Sequence, residues 1–403
     1  MNILLLKIQL QNLIKYDSSE IFNNTLYPTC RKMNSKNTAS KKNIVIVLLE
    51  SFSSSYIGCL NNGKGYSPGF DSLKNDGMLF TNFYSNGPRT QHVIVSTLSS
   101  FPAILSSPLI RRKGINEFQT LGTILKKEGY KNNFIYGGDI GFDDMDIYLH
   151  NSGFDDIISE NDFSTYRYKN EWGVCDEDLF DKAIQILNNN DTILKFTVIL
   201  TVSNHAPFDI PEYFNDKISR TDSLTKKQST FLYLDYCLKK FMKECKTKNF
   251  YNKTVFYILA DHGEAYSVSD HNYKIFKIPL LIMNSNLGIG SNNILGSQID
   301  IAPTILNEIG YQNNYHFIGK SMYNLQNRYA LCQAINKKIL FIDQYEYALV
   351  FDPKIKESKL YKISDNKLVS NGNQVIENEL DVELKSILQS LSSIYVEGKY
   401  RFE

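Results

Sequence analysis

Asn43–Glu50 reads NIVIVLLE, and the reading of this stretch decides the fold. Between its ends every residue is Ile, Val or Leu, with no alternation of apolar and polar positions. A strand with one wet face alternates; a run apolar on both faces predicts a strand covered on both sides, the habit of parallel sheets in α/β proteins. Glu50 closes the run. A carboxylate at the C-terminal end of such a strand lies where open α/β sheets collect their ligands. The same device recurs twice. Thr254–Ala260 (TVFYILA) stops at Asp261-His262-Gly263-Glu264, and Phe196–Val202 (FTVILTV) stops at Ser203-Asn204-His205.

A fourth segment supplies a nucleophile. Asn86-Gly87-Pro88-Arg89-Thr90 is turn-forming and runs into Val93, Ile94, Val95 and Leu98, an apolar pattern that predicts a helix. A hydroxyl on the first turn of a helix can be an ordinary cap. It also lies beside unpaired N–H groups and the positive end of the dipole, a good place to attack a phosphate and hold an anion. Glu50, Thr90, Asp261 and His262 together would make a mixed oxygen and nitrogen site for one divalent cation. Such an ion would lower the pKa of the hydroxyl and neutralise a phosphate oxygen.

Composition narrows the classes. A chain of 403 residues accommodates one large α/β domain and a smaller attachment, and 42% hydrophobic residues exclude global disorder. A net charge of +1, with Lys and Arg spread along the chain, leaves no footprint for nucleic acid. The six cysteines show no metal-finger spacing and read as free thiols. Near the start, Ile3-Leu4-Leu5-Leu6 is broken by Lys7, Gln9, Gln11 and Asn12. That is too short and polar to span a bilayer, which needs about 20 apolar residues, and it lacks the marks of a signal peptide. Ile3, Leu6, Leu10, Leu13 and Ile14 share one face of a short helix, either packed on the domain or lying on a membrane surface.

The expected organisation has three parts. Residues 1–42 form an N-terminal helix and polar linker. Residues 43–325 alternate strands and helices, which predicts a mostly parallel sheet covered by helices. Residues 326–403 change character: short strands at Lys338–Asp343, Tyr345–Phe351 and Lys359–Ile363, then a helix over Leu380–Tyr395, predict a small antiparallel sheet with a closing helix.

Four further residues are candidates for substrate contact. Arg89 beside the nucleophile suits phosphate oxygens. Asp139, after Gly137-Gly138 at a strand end, suits a substrate hydroxyl or a simple Asx turn. His205 ends a buried strand at the ligand edge. Trp172, the single tryptophan, is a packing anchor or a wall of a groove. His271 is left out of the metal set, and Asp300 reads as a helix cap.

Several phrases carry a resemblance: LLESFSSSYIG (48–58), SPGFDSLKNDGMLFTNFYSNGPRT (67–90), YGGDIGFDDMDIYLHNSGFDDI (136–157), WGVCDEDLFDKA (172–183), TVSNHAPFDIP (201–211), ILADHGE (258–264) and QIDIAPTILNEIG (298–310). In this order they resemble the sulfatase-like branch of the alkaline phosphatase superfamily, and within it lipoteichoic acid synthase and related phosphoglycerol transferases. The resemblance spans nearly all of residues 43–320. It implies a three-layer sandwich of the alkaline phosphatase kind, with Thr90 as nucleophile and with Glu50, Thr90, Asp261 and His262 around one divalent metal, most often manganese, with magnesium or zinc as alternatives. It also implies that His205 contacts the substrate head group. The activity implied is transfer of phosphoglycerol from a phosphoglycerol lipid through a phosphothreonine ester, at the extracytoplasmic face of the membrane. Alternatives on the same fold are a phosphodiesterase, a phosphoethanolamine transferase, a sulfuric ester hydrolase, or an inactive soluble remnant. The sequence departs from the family in two places. No transmembrane helices precede the domain, and the usual Gly-Thr-Arg-Thr is Gly87-Pro88-Arg89-Thr90 followed by Gln91-His92.

Overall fold

The computed structural model describes residues 20–22, 29–33, 41–103, 108–112, 114–189, 192–218, 224–264, 273–325, 328–345, 347–363, 367–369 and 374–398. Its central sheet contains, in chain order, β1 (Asn43–Leu49), β2 (Gly77–Tyr84), β3 (Lys131–Tyr136), β4 (Asp156–Ile158), β5 (Lys195–Leu200), β6 (Thr254–Ala260), β7 (Lys277–Met283) and β8 (Gly290–Asn292). The spatial order is β8-β2-β7-β6-β1-β5-β3-β4, so NIVIVLL lies in the middle. Every residue of β5 and β6 is buried, and β1 and β7 are buried past their first residue. That is what runs without alternation require.

Among these eight strands β7 alone runs antiparallel to its neighbours. The other pairings are parallel, as expected of a mostly parallel sheet. Pro279 sits inside β7 at the point where its register against β2 shifts, between Ile278 and Leu280. A proline donates no ladder hydrogen bond, so an irregularity is where a strand can hold one.

Two groups of helices cover the sheet. One joins α1 (Pro68–Leu73), α5 (Asp176–Leu187), α6 (Glu212–Ile218) and α7 (Lys226–Cys245). The other joins α2 (Thr90–Ser99), α3 (Leu121–Lys127) and α8 (Ile301–Glu308). Another short helix, α4 (Met145–Asn151), follows Asp144. The architecture is the expected helix–sheet–helix sandwich.

A second sheet follows in simple antiparallel order: β9 (Tyr329–Gln333), β10 (Ile339–Asp343), β11 (Tyr347–Asp352), β12 (Glu357–Lys362) and β13 (Lys367–Leu368). Its closing helix α9 (Gln374–Val396) packs on β11 and β12 and buries Leu380, Leu384, Ile387, Leu391 and Ile394. Spacings of three and four keep these five on one helical face. β9 was not anticipated in the sequence, because YALCQ is short and lacks flanking turn signals. It matters, since Gln333 N–H donates to the Asn86 carbonyl at 3.0 Å and so ties this sheet to the Thr90 loop.

The stretch read as a polar linker differs from expectation. Glu20–Phe22 and Arg31–Met33 pair with each other, and Asn314–Tyr315 joins them. Arg31 is fully buried, donates to the carbonyls of Phe317 and Gly319, and lies over the Tyr315 ring at 5.3 Å. A guanidinium can be buried when carbonyls and an aromatic face take up its donors and charge. The predicted helix at residues 1–16 and His271 lie outside the described residues. No helix among the described residues is long and apolar enough to cross a membrane. The six cysteines are free.

Candidate active site

Parallel register brings the strand-end residues together. Leu49 lies opposite Ala260, so the next residues, Glu50 and Asp261, are neighbours across adjacent strands. The ladder runs one step beyond the strands: Asp261 N–H donates to the Leu49 carbonyl at 3.0 Å, and Glu50 N–H donates to Thr201 Oγ1 at 2.9 Å. Both carboxylates are buried, with exposures of 2% and 0%. Thr90, the first residue of α2, donates its hydroxyl to Asp261 Oδ2 at 2.8 Å and lies 3.4 Å from Glu50 Oε2. His262 Nδ1 is 2.8 Å from the Gly263 carbonyl, which can only accept, so Nδ1 carries the hydrogen. Its Nε2 faces Glu50 Oε1 and Asp261 Oδ2, each at 3.5 Å.

This geometry sets the electrostatics. Burial pushes Glu50 up, but the charges of His205 and His262 prevail and hold it below the usual carboxylate range. Asp261 is pushed up to about 7, first by burial and then by the charge of Glu50. Burial opposes charge on His205 and His262, yet the facing carboxylates raise both. The cluster therefore draws positive charge to itself. Ligand atoms of Glu50, Asp261 and His262 lie within 4.8 Å of one another. Two carboxylates, one imidazole and an adjacent hydroxyl suit manganese, magnesium or zinc, so the residues present fit one such ion.

Of the four substrate candidates, His205 touches the cluster directly and Trp172 reaches it through His205. His205 Nε2 is 3.4 Å from Glu50 Oε2, and its ring stacks on Trp172 with centroids 3.9 Å apart. Trp172 is fixed by an Nε1–H bond to the Ala206 carbonyl at 2.7 Å and by the edge-on ring of Phe142. Arg89 is exposed at the N-cap of α2; its carbonyl accepts from His92 N–H at 3.0 Å, while its side chain makes no hydrogen bond or ion pair with a described residue. Asp139 is exposed past the end of β3, where its Oδ1 accepts the Gly141 N–H at 2.9 Å in a local turn.

Several supporting residues escaped the sequence reading. Ser51 donates its N–H to Asp261 Oδ1 at 2.8 Å and its hydroxyl to Glu50 Oε1 at 2.7 Å, holding both carboxylates at once. It does so with φ at 51°, a left-handed conformation uncommon outside Gly and Asn. Asn204 Nδ2 donates to the Glu50 carbonyl at 3.0 Å. Gln298 accepts from Asn86 N–H at 3.0 Å and donates to the carbonyls of Ala260 and Asp261, bracing the Thr90 loop against the end of β6. Asp176 accepts the N–H groups of Val202 and Ser203, which fixes the turn leading to His205. The sequence signal was weak: each is an ordinary polar residue at, or within four places of, a strand end or helix start.

A buried mixed sheet with a Thr, two carboxylates and a His at its edge defines an α/β protein of the alkaline phosphatase kind. The chain belongs to the sulfatase family, whose model matches residues 42–311. A crystal structure of a protein in the alkaline phosphatase superfamily from Vibrio parahaemolyticus superposes with a TM-score of 0.89 at 26% identity, covering 100% of this chain and 98% of that one. The lipoteichoic acid synthase structure from Listeria monocytogenes superposes at 0.78 with 19% identity, covering 96% and 98% of the two chains, and so shares the fold. Among curated relatives, lipoteichoic acid synthase 1 of Bacillus subtilis is 25% identical over 85% of this chain and 58% of its own length. Lipoteichoic acid synthase of Staphylococcus aureus strain USA300 is 27% identical over 71% and 48%. The chain spans about half the length of these curated relatives.

Proposed function

We propose that this protein is a metal-dependent phosphoglycerol transferase of the lipoteichoic acid synthase type, working through a covalent phosphothreonine ester. One observation carries the reading: the Thr90 hydroxyl stands 2.8 Å from buried Asp261 and 3.4 Å from buried Glu50, on the first turn of a helix that no side chain caps. Glu50, Asp261 and His262 would hold the ion with Thr90 beside them; a divalent cation bound there lowers the hydroxyl pKa and offsets charge on a phosphate oxygen.

The chain's own groups then divide the work. The Asp261 hydrogen bond fixes the Thr90 hydroxyl and turns its lone pairs outward. The Thr90 hydroxyl gives up its proton to solvent, and Oγ1 then forms a bond to phosphorus as the bond to the diacylglycerol oxygen breaks. First-turn N–H groups of α2 and the exposed Arg89 guanidinium receive the transferred phosphate. Glu50 raises the His205 pKa against burial, which suits the imidazole to protonate the departing oxygen. An acceptor hydroxyl next attacks phosphorus and returns the bonding electrons to Thr90 Oγ1, while its proton passes to His205. Trp172 keeps the imidazole in place by stacking. Asp139 and the outer face of Trp172 border the glycerol end.

The names of the relatives support the substrate class, the family resemblance puts manganese first, and the donor set also suits magnesium or zinc. The same reading puts the work at the extracytoplasmic face of the membrane, with residues 1–16 as a peripheral contact. Intact-mass spectrometry of the protein incubated with manganese and phosphatidylglycerol tests it. The expected result is a phosphoglycerol adduct that is absent from Thr90→Ala. Turnover of a phosphodiester by Thr90→Ala at the wild-type rate would end the covalent mechanism.

A further inference from the structure

Away from Thr90, the edge of the central sheet is interrupted. β8 pairs with β2 as far as Asn292 opposite Phe80, and pairing resumes only at Gly296 opposite Phe83. Asn293, Ile294 and Leu295 therefore arch over Thr81 and Asn82, three residues against two, as in a wide bulge. The turn between β10 and β11 faces this arch, and between them lies a cleft of about 410 Å³. That volume falls in the roughly 300–1,000 Å³ range of small-molecule sites.

The lining has a distinct chemistry. Asn82, Asn292, Asn293 and Gln344 bring four side-chain amides to one cleft, with Tyr345 at its mouth. Asn82 and Asn293 make no side-chain hydrogen bond with a described residue, and Asn292 and Gln344 spend only their oxygens, on Ile294 N–H and Arg328 N–H. Tyr345 is 70% exposed, and its ring makes no aromatic or cation contact with a described residue. Arg328 also borders the cleft, but it is 3% exposed and its donors are taken by the carbonyls of Leu295, Ser321, Asn324 and Lys320 and by Asp300. Its charge is matched before any ligand arrives.

We propose that this cleft binds an uncharged glycan, one or two sugar rings long. Amides both donate and accept, which matches the adjacent hydroxyls of a sugar, and an exposed tyrosine offers a flat face to its C–H side. A charged ligand would find no free counter-charge among the lining residues, and a purely apolar one would leave four amides unpaired. The inference is independent of the transferase reading, because no lining residue belongs to the Thr90 cluster.

Saturation-transfer NMR on the full chain tests it, with maltose, cellobiose and gentiobiose as neutral probes and digalacturonic acid as a charged one. The expected result is binding of at least one neutral disaccharide, weakened tenfold or more by Tyr345→Ala and by the isosteric Asn82→Asp, and unaltered by Thr90→Ala. Phosphodiester turnover by Tyr345→Ala should equal wild type. The proposal is overturned if none of the neutral sugars binds, if digalacturonic acid binds as well as they do, or if binding survives both cleft substitutions. Loss of binding in Thr90→Ala would assign the sugar to the active site and overturn it too.

Discussion

The buried carboxylate of Asp235 and the buried pair Glu50–Asp261 lie in the same domain and do opposite things. Asp235, on α7, spends both oxygens on the N-terminus of α1: Oδ2 accepts Gly69 N–H at 2.6 Å and Oδ1 accepts Phe70 N–H at 2.7 Å. The approach is so close that a Cβ on Gly69 would meet Asp235 Oδ2 at 2.7 Å, which explains the glycine. Asp176 is built the same way, facing Val202 and Ser203 N–H. At the other site Ser51 and the His262 backbone hold one oxygen of each carboxylate. The second oxygens, Glu50 Oε2 and Asp261 Oδ2, face Thr90 and the histidines instead of the backbone. A carboxylate satisfied by backbone donors ties elements together. One left facing another carboxylate, a hydroxyl and an imidazole is ready for a cation and a reaction.

The largest test of this contrast is Thr90→Ala. Phosphodiester turnover should fall by about 10⁴-fold or more, the scale of losing a nucleophile, while the melting temperature stays close to wild type. Next comes Asp261→Asn. Its remaining carbonyl can still accept from Ser51 and His262 N–H, and its amide can donate to Glu50, so the metal-free fold should be unharmed or slightly stabilised. Manganese affinity, read by calorimetry, should drop about a thousandfold, the order of removing one partner from a buried ion pair. If Asp261→Asn unfolded the metal-free protein, the pair would be a tie like Asp235 and the contrast would fail.

The third test is pH. Burial pushes Asp235 up to about 6, against an ordinary value of 3.8, despite the two N–H groups. Between those pH values the folded state holds a proton that the unfolded state releases, so the contribution is fully present below about pH 4 and is lost as pH rises through 6. A shift of this size amounts to about 3 kcal/mol. Relative to Asp235→Asn, wild type should therefore lose up to about 3 kcal/mol of unfolding free energy between pH 4 and pH 7 in urea titrations. A flat difference would mean that the N–H groups outweigh burial and that Asp235 stays ionised.

The chemistry was more legible in the sequence than its support. Glu50, Asp261 and His262 stand out because each ends or follows a run with no alternation, and Thr90 because it begins a helix after a turn. Such signals are local. Ser51, Asn204, Gln298 and Asp176 act through register and through contacts between distant segments, as Gln298 does in joining Asn86 to the carbonyl of Asp261. No periodicity encodes that. The direction of β7 was hidden for a similar reason, since an apolar run tells that a strand is buried but not which way it points. Residues 29–33 misled because their composition is polar, whereas Arg31 is buried by carbonyls that lie far along the chain.

The smallest expected effect concerns the histidine at the solvent edge of the reactive cluster. The His205 side chain is 24% exposed while its partner Glu50 is 3% exposed, so the pair marks where the buried charge reaches solvent. Trp172 holds that imidazole by a stack with an interplanar angle of 12°. An aromatic contact of this kind is worth about 0.5–1.5 kcal/mol, so Trp172→Ala should lower kcat/KM by up to about tenfold. Metal affinity should not change, because no ligand moves. If stacking is what matters, Trp172→Phe restores most of the loss. If Trp172→Phe is as impaired as Trp172→Ala, the indole N–H bond to the Ala206 carbonyl positions His205, and the rim is organised by the same backbone-directed bonding as Asp235.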